Sequence, residues 1–150
     1  MVKRGDSIED TKIGVDVYDD ITSDSARTLL HIAVNAGNIK NVDILVRDGG
    51  DEFVTRKDKH GDTALALAAC YNAKIEIVKI LVDSKTGKML LMEPNDKGEI
   101  PVHLAAGKGH KEMTSYLYSK TSVEVFNKDS RNRVLLLDRC IEAELFGKQI

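Results

Sequence analysis

The sequence predicts an all-α fold built from stacked helix-turn-helix units, and three observations predict it. A short apolar motif recurs as Thr28-Leu-Leu-His-Ile-Ala33, Thr63-Ala-Leu-Ala-Leu-Ala68 and Ile100-Pro-Val-His-Leu-Ala105, with starts 35 and 37 residues apart. Each copy is followed by a second apolar cluster: Val42, Ile44, Leu45 and Val46, then Ile77, Val78, Ile80, Leu81 and Val82, then Met113, Tyr116 and Leu117. Turn residues separate the copies, as Asp58-Lys-His-Gly61 and Asn95-Asp-Lys-Gly98. One helix pair cannot bury its apolar face alone, whereas about three stacked pairs can, so a recurrence of this kind marks a solenoid.

Taken in order, residues 1–24 hold three basic and seven acidic residues among scattered Ile8, Ile13, Val15, Val17 and Ile21. A frayed N-terminal cap is expected there. In the first unit, 25–57, Thr28 offers a side-chain oxygen to cap a helix and Gly37 tolerates the positive φ that ends one. The second unit, 58–94, repeats the turn glycine as Gly61 and the cap as Thr63, but has Ala66 where the other copies have His31 and His103. In the third, 95–128, Pro101 suits a first helical turn, where a missing N–H matters little. Gly109 ends its first helix as Gly37 does. Ala33, Ala68 and Ala105 are small because neighbouring helices meet there at about 8–10 Å. The last segment, 129–150, is a degenerate or truncated fourth unit. Leu135 stands 35 residues after Ile100 and puts Cys140 in the small-residue slot, with a one-residue insertion expected near Arg133. It leaves Leu136, Leu137, Ile141, Leu145 and Phe146 short of a neighbour, which invites self-association.

Composition excludes several classes of function. Of 150 residues, 42% are hydrophobic and 31% charged, which permits a packed core. The 22 basic and 24 acidic residues leave a net charge of -2, and aromatics are 5% with no Trp, so neither a nucleic-acid polycation nor a base-stacking platform is expected. The longest uncharged apolar run, Ala64 to Tyr71, is short of the roughly 18 residues a membrane span needs. The N-terminus has no apolar core of a secretory signal. Two cysteines make no disulfide scaffold. Cys70 and Cys140 read as small buried fillers, and a bridge between them is ruled out by their two-unit separation.

Catalytic and metal chemistry find no constellation, so no enzyme, metal or cofactor is expected. His31 and His103 would lie about 20 Å apart, too far for one zinc ion. They read as structural histidines, and His110 as a cap or packing residue. Lys85-Thr86-Gly87-Lys88 hints at a phosphate loop, but Val82 stands where a Walker A glycine is required and Met89 follows the lysine. Asp48-Gly-Gly-Asp51-Glu52 lacks calcium-loop spacing. Asp58 and Asp62 read as turn residues on a solvated edge, and Lys97, Lys108, Lys111 and Lys120 as a solvated basic face.

The motif resembles the ankyrin repeat, whose signature is T-P-L-H-x-A on a period of 33. The third copy matches best, through Pro101, His103, Ala105 and Gly109-His110. The periods here exceed 33, which implies longer outer loops. The resemblance implies a non-catalytic protein-binding module whose concave face is made by turn tips and first helices. Carried over, the tips are His60, Asp62, Lys97 and Glu99, and the first-helix positions are Asn35, Tyr71 and Lys108. Tyr71 is the expected anchor, since aromatics are enriched among interface hot spots. A longer likeness runs over about residues 21–146, through His60–Ala69, Asp96–Ala105, Gly109–Tyr118 and Arg139-Cys-Ile141 with Ala143 and Phe146. It is to the plant ankyrin-repeat membrane proteins of the PGG type. It implies a cytoplasmic location, at the cytosolic face of a membrane if a membrane domain follows, and a role in defence or salt-stress signalling. The expected partner is another protein, with no nucleic acid and no membrane insertion by this segment. The alternative is a self-associating structural domain, as a homodimer, of a larger membrane-anchored or immune-receptor protein.

Overall fold

The computed structural model describes residues 24–147, with side chains as far as Glu144. The N-terminal cap expected over residues 1–24 therefore lies, apart from Asp24, outside the described residues. In chain order the helices are α1 (Leu29–Ala36), α2 (Ile39–Asp48), α3 (Gly50–Val54), α4 (Ala64–Cys70) and α5 (Ile75–Asp83). They continue as α6 (Gly87–Met92), α7 (Pro101–Gly107), α8 (Lys111–Lys120), α9 (Val123–Lys128) and α10 (Ser130–Gly147).

The three motif copies form α1, α4 and α7, and their starts follow from local chemistry. The Thr28 and Thr63 hydroxyls accept from the His31 and Ala66 amides, satisfying helix-start N–H groups. Where Ile100 offers no oxygen, Pro101 removes one orphan donor at the first position. The first helices of the first three units are followed by a left-handed residue: Gly37 (φ 73°), Asn72 (φ 55°) and Gly109 (φ 76°). Asn72 fills this position in the second unit because its short amide tolerates that region. The reversal there swings each chain back into α2, α5 or α8.

Two rows of helices result. The inner row runs α1–α4–α7–α10, each packed on the next. The outer helices α2, α5 and α8 pack on α1, α4 and α7 respectively. Between the rows lies one continuous core, with Leu30, Val42, Leu65, Ile77, Val78, Leu81, Val102, Met113 and Leu117 among its members. Each fully buried Leu or Val adds roughly 1.5–3 kcal/mol. Ala68 and Ala105 are completely buried at the inner-row contacts, as close helix approach requires.

The longer outer loops expected from the period contain structure of their own. The surplus residues form the short helices α3, α6 and α9, which drive Phe53 and Val54, Leu90 and Leu91, and Phe126 into the core. Gly87 belongs to this packing, since a Cβ there would collide with the Val82 carbonyl. The Lys85–Lys88 segment is thus a tight helix junction.

The last unit differs from expectation. The insertion expected near Arg133 interrupts nothing, because α10 is one unbroken helix of 18 residues. No Gly or Pro lies between Ser130 and Phe146 to stop it. It packs on α7 and α9. Leu136 joins the core margin, while Leu137 and Ile141 are exposed. The side chains of Leu145 and Phe146 are outside the described part. Cys140 is exposed and Cys70 only half-buried, so neither is the buried filler that the sequence suggested; both are free thiols.

Candidate partner-binding surface

The surface begins with the turns that precede α4, α7 and α10. At the first of these, Asp58 is buried, with 6% exposure, contrary to its expected place on a solvated edge. Its Oδ1 accepts from the amides of His60 (2.9 Å) and Asp62 (3.0 Å), and Arg27 Nε lies 3.7 Å from its Oδ2. Asn95 repeats the arrangement for Lys97 (2.9 Å) and Glu99 (3.0 Å), and Asp129 does so for Arg131 (2.9 Å). A short side chain that closes its own turn in this way fixes the tip before any tertiary contact forms. The recurrence of Asp or Asn at 58, 95 and 129 was the signal available in the sequence.

Neighbouring tips are then tied together. His31 Nδ1 accepts from the Thr28 amide at 3.2 Å, so its proton sits on Nε2, which donates to the Asp62 carbonyl at 2.9 Å. His103 does the same between Ile100 (3.2 Å) and the Asn132 carbonyl (2.8 Å). Burial holds both imidazoles below their ordinary pKa. Ala66 cannot make this tie. Between the second and third turns the Asp96 amide instead donates to the His60 carbonyl (3.1 Å) and Asn95 Nδ2 to Asp62 Oδ1 (3.0 Å). His110 Nε2 reaches back to the Cys70 carbonyl at 3.1 Å, so this histidine links α8 to the end of α4.

On this frame the expected site residues fall into two lines. Asn35, Tyr71 and Lys108 stand at the C-terminal ends of α1, α4 and α7, and all three are exposed. Tyr71 is 59% exposed, so it is not consumed by packing on a neighbouring helix. Beside it, a cleft of about 210 Å³ opens between the ends of α1 and α4, lined by Asn35, Gly37, Leu67, Tyr71 and Lys74. The Lys74 ammonium closes one end by donating to the Gly37 carbonyl at 3.2 Å. Burial pushes the Cys70 thiol up, with the Lys108 ammonium opposing it.

The second line is the turn tips, about 10 Å away along the motif helices. His60 and Lys97 are exposed there. Asp62 is half-buried and engaged with Asn95, and desolvation raises its carboxyl above the usual range. Glu99 departs from expectation. It is 7% exposed, and its carboxylate accepts from Arg139 Nε at 2.7 Å. The reason is α10, which covers this tip and places Arg139 over Gly107, where a Cβ would press on the arginine stem at 3.0 Å. Glu99 thus fastens α10 to the stack. The expected surface is reduced to Asn35, Tyr71 and Lys108 with His60, Lys97 and the accessible edge of Asp62.

Among the described residues, no group of three His, Cys, Asp or Glu side chains converges as a metal site. Among the same residues no helix is long and apolar enough to cross a membrane.

Comparison with known proteins gives the same architecture. The transient receptor potential cation channel subfamily A member 1 of Drosophila melanogaster is 28% identical over 110 residues, which is 71% of this chain. The chain spans only 9% of that relative's length. A chain in the crystal structure of the yeast ribosomal protein Rps3 in complex with its chaperone Yar1 superposes with a TM-score of 0.59 at 24% identity, covering 77% of this chain and 91% of that one. That likeness is one of fold. The family model for ankyrin repeats in three copies matches residues 5–90. With that match, the recurring helix pairs and the His-to-carbonyl ties at His31 and His103, this chain belongs to the ankyrin-repeat family.

Proposed function

We propose that this chain is a non-catalytic protein-binding module whose partner is another protein held against the line Asn35, Tyr71 and Lys108. Ankyrin repeats are protein–protein interaction modules, and this reading gives the general role a location. The observation that carries it is the exposed Tyr71 ring beside its cleft, presented on a framework already fixed by turn and histidine ties. A surface ordered before binding loses little side-chain freedom on association. Charged residues at the rim, Lys97 and Lys108, steer encounter and discriminate partners more than they add affinity.

The finer reading assigns four units, 25–57, 58–94, 95–128 and 129–150, after an N-terminal cap. It places the chain in the cytoplasm, or at the cytosolic face of a membrane if it belongs to a longer protein. The likeness to plant ankyrin-repeat membrane proteins supports a role in defence or stress signalling. The combined variant Asn35→Ala, Tyr71→Ala and Lys108→Ala tests the surface by pull-down from source tissue beside the unaltered protein. The expected result is loss of captured partners with an unchanged helical circular dichroism spectrum. Equal capture by both proteins would overturn the assignment of this surface.

A second reading, self-association, is favoured by a separate observation. Val134, Leu137 and Ile141 are exposed on α10.

A further inference from the structure

Three chain reversals, 35–39, 71–75 and 107–111, carry α1, α4 and α7 into the outer helices and form one edge of the stack. That edge has lysines and no acid. Lys74, Lys108 and Lys111 lie on it, and neither the reversals nor the helices α1, α4 and α7 contain Asp or Glu. All three lysines are exposed, and among the described residues none has a carboxylate partner. The acids next along the chain, Glu76 and Glu112, belong to the outer helices α5 and α8. On α10, Glu142 pairs with Arg139 and Glu144 is also engaged.

Tyr71 stands between two of these cations. Lys74 lines the same cleft, and its ammonium is held there by the Gly37 carbonyl at 3.2 Å, with two of its three N–H donors left over. Lys108 belongs to the next unit, about 10 Å along the row. It is close enough to Cys70, the chain neighbour of Tyr71, to oppose the rise in that thiol's pKa. The cleft, about 210 Å³ with Val34 and Leu67 in its wall, takes one branched aliphatic side chain.

We propose that the partner protein meets this line with an acidic segment, one aliphatic side chain seated in the cleft against Tyr71 and a carboxylate on either side of it at Lys74 and Lys108. This rests on the protein-binding reading of that line and names the partner's chemistry. Carboxylate oxygens only accept and ammonium groups only donate, so the pairing leaves no unmatched polar group. In an extended segment, side chains at alternate positions share a face and stand about 7 Å apart, so acid, aliphatic and acid at such positions span about 13 Å. That suits cations flanking Tyr71 in units spaced about 10 Å. Nucleic acid fits less well, because one exposed ring cannot stack a run of bases.

Fluorescence anisotropy tests this with a labelled peptide in which glutamate, leucine and glutamate alternate with serine, beside the same peptide carrying lysine or glutamine for glutamate. At low salt the glutamate peptide should bind about tenfold more tightly than the glutamine peptide, and salt should erode that advantage by screening. Lys74→Glu with Lys108→Glu should abolish it and favour the lysine peptide instead. Lys88→Glu with Lys128→Glu, an equal change of net charge on α6 and α9, should leave it unaltered. Circular dichroism checks that each variant remains folded, and Lys108→Glu alone keeps the test open if Lys74→Glu disturbs the reversal tied to Gly37. Equal binding of the three peptides, no binding of any, a glutamate preference that survives the Lys108 reversal, or tighter binding of an oligonucleotide overturns the acidic class. The surface reading is decided separately, by whether the Asn35, Tyr71 and Lys108 alanine variant loses its captured partners. If it does, the surface stands whatever the peptides show.

Discussion

Acid should unfold this stack by way of its two buried inner-row histidines. His31 and His103 are completely buried, and each uses its Nδ1 lone pair to accept a backbone N–H. Protonation would put a second donor against that amide and a charge into the core. Burial accordingly lowers both pKa values, so the unfolded chain, with an ordinary value of about 6.5, binds these protons more readily than the fold does. Their stabilisation is fully present above pH 6.5 or so and is lost as pH falls toward the lowered values. If both rings stay neutral in the fold, going from pH 6.5 to 5.5 removes about 1 kcal/mol for each histidine, or about 2 kcal/mol together. That corresponds to a fall of roughly 4–8 °C in melting temperature for a domain of this size. Asp62 acts with the opposite sign, because burial raises its carboxyl, so the fold gains relative to the unfolded chain as pH drops through that raised value. The assay is thermal melting by circular dichroism from about pH 7.5 to 5.5, repeated on His31→Gln, His103→Gln and the double variant. Each single variant should lose about half of the pH slope and the double variant nearly all of it. A double variant with the unaltered slope would refute the reasoning.

Further substitutions probe the turns and the α10 attachment. Gly61→Ala and Gly98→Ala both force a side chain to positive φ (79° in each), which costs about 1 kcal/mol. At Gly61 the new Cβ also meets Asp96, whose amide would lie 2.7 Å away, whereas at Gly98 it meets open space. Gly61→Ala should therefore be the more destabilising in urea unfolding, and equal losses would contradict the close packing of adjacent tips. Arg139→Ala removes the cation that faces the buried Glu99 carboxylate. A loss of about 1–3 kcal/mol is expected, largely recovered by adding Glu99→Gln. Additive rather than compensating effects would show that the two side chains do not act as a pair.

Much of the architecture was legible because it is written in local chemistry. Thr28 and Thr63 cap, Pro101 starts a helix, Gly37 ends one, and Gly61 turns, each through its own backbone preferences. The histidine ties are what the ankyrin resemblance implies for this motif position, which sets each ring one turn from its own amide partner. The short helices α3, α6 and α9 were less visible. Each segment is only five or six residues long, too short to show a helical period. Among the surface residues carried over from the ankyrin resemblance, Asn35, Tyr71 and Lys108 are exposed, whereas Glu99 is not. Its partner Arg139 lies 40 residues away, on a helix whose length the repeat pattern did not foretell.

By itself the sequence determined the period, the helix starts and stops, and the alternation of apolar and turn residues, because propensity, capping and positive φ act within a few positions of the chain. Tertiary structure alone decided what faces water. Asp58 and Glu99 carry the same charge in the sequence as any surface acid, and they are buried because a neighbouring turn and α10 close over them. Val134, Leu137 and Ile141 are as apolar as any core residue, and they stay exposed because among the described residues no further helix lies across them. Burial belongs to the stack, since it depends on which units stand side by side.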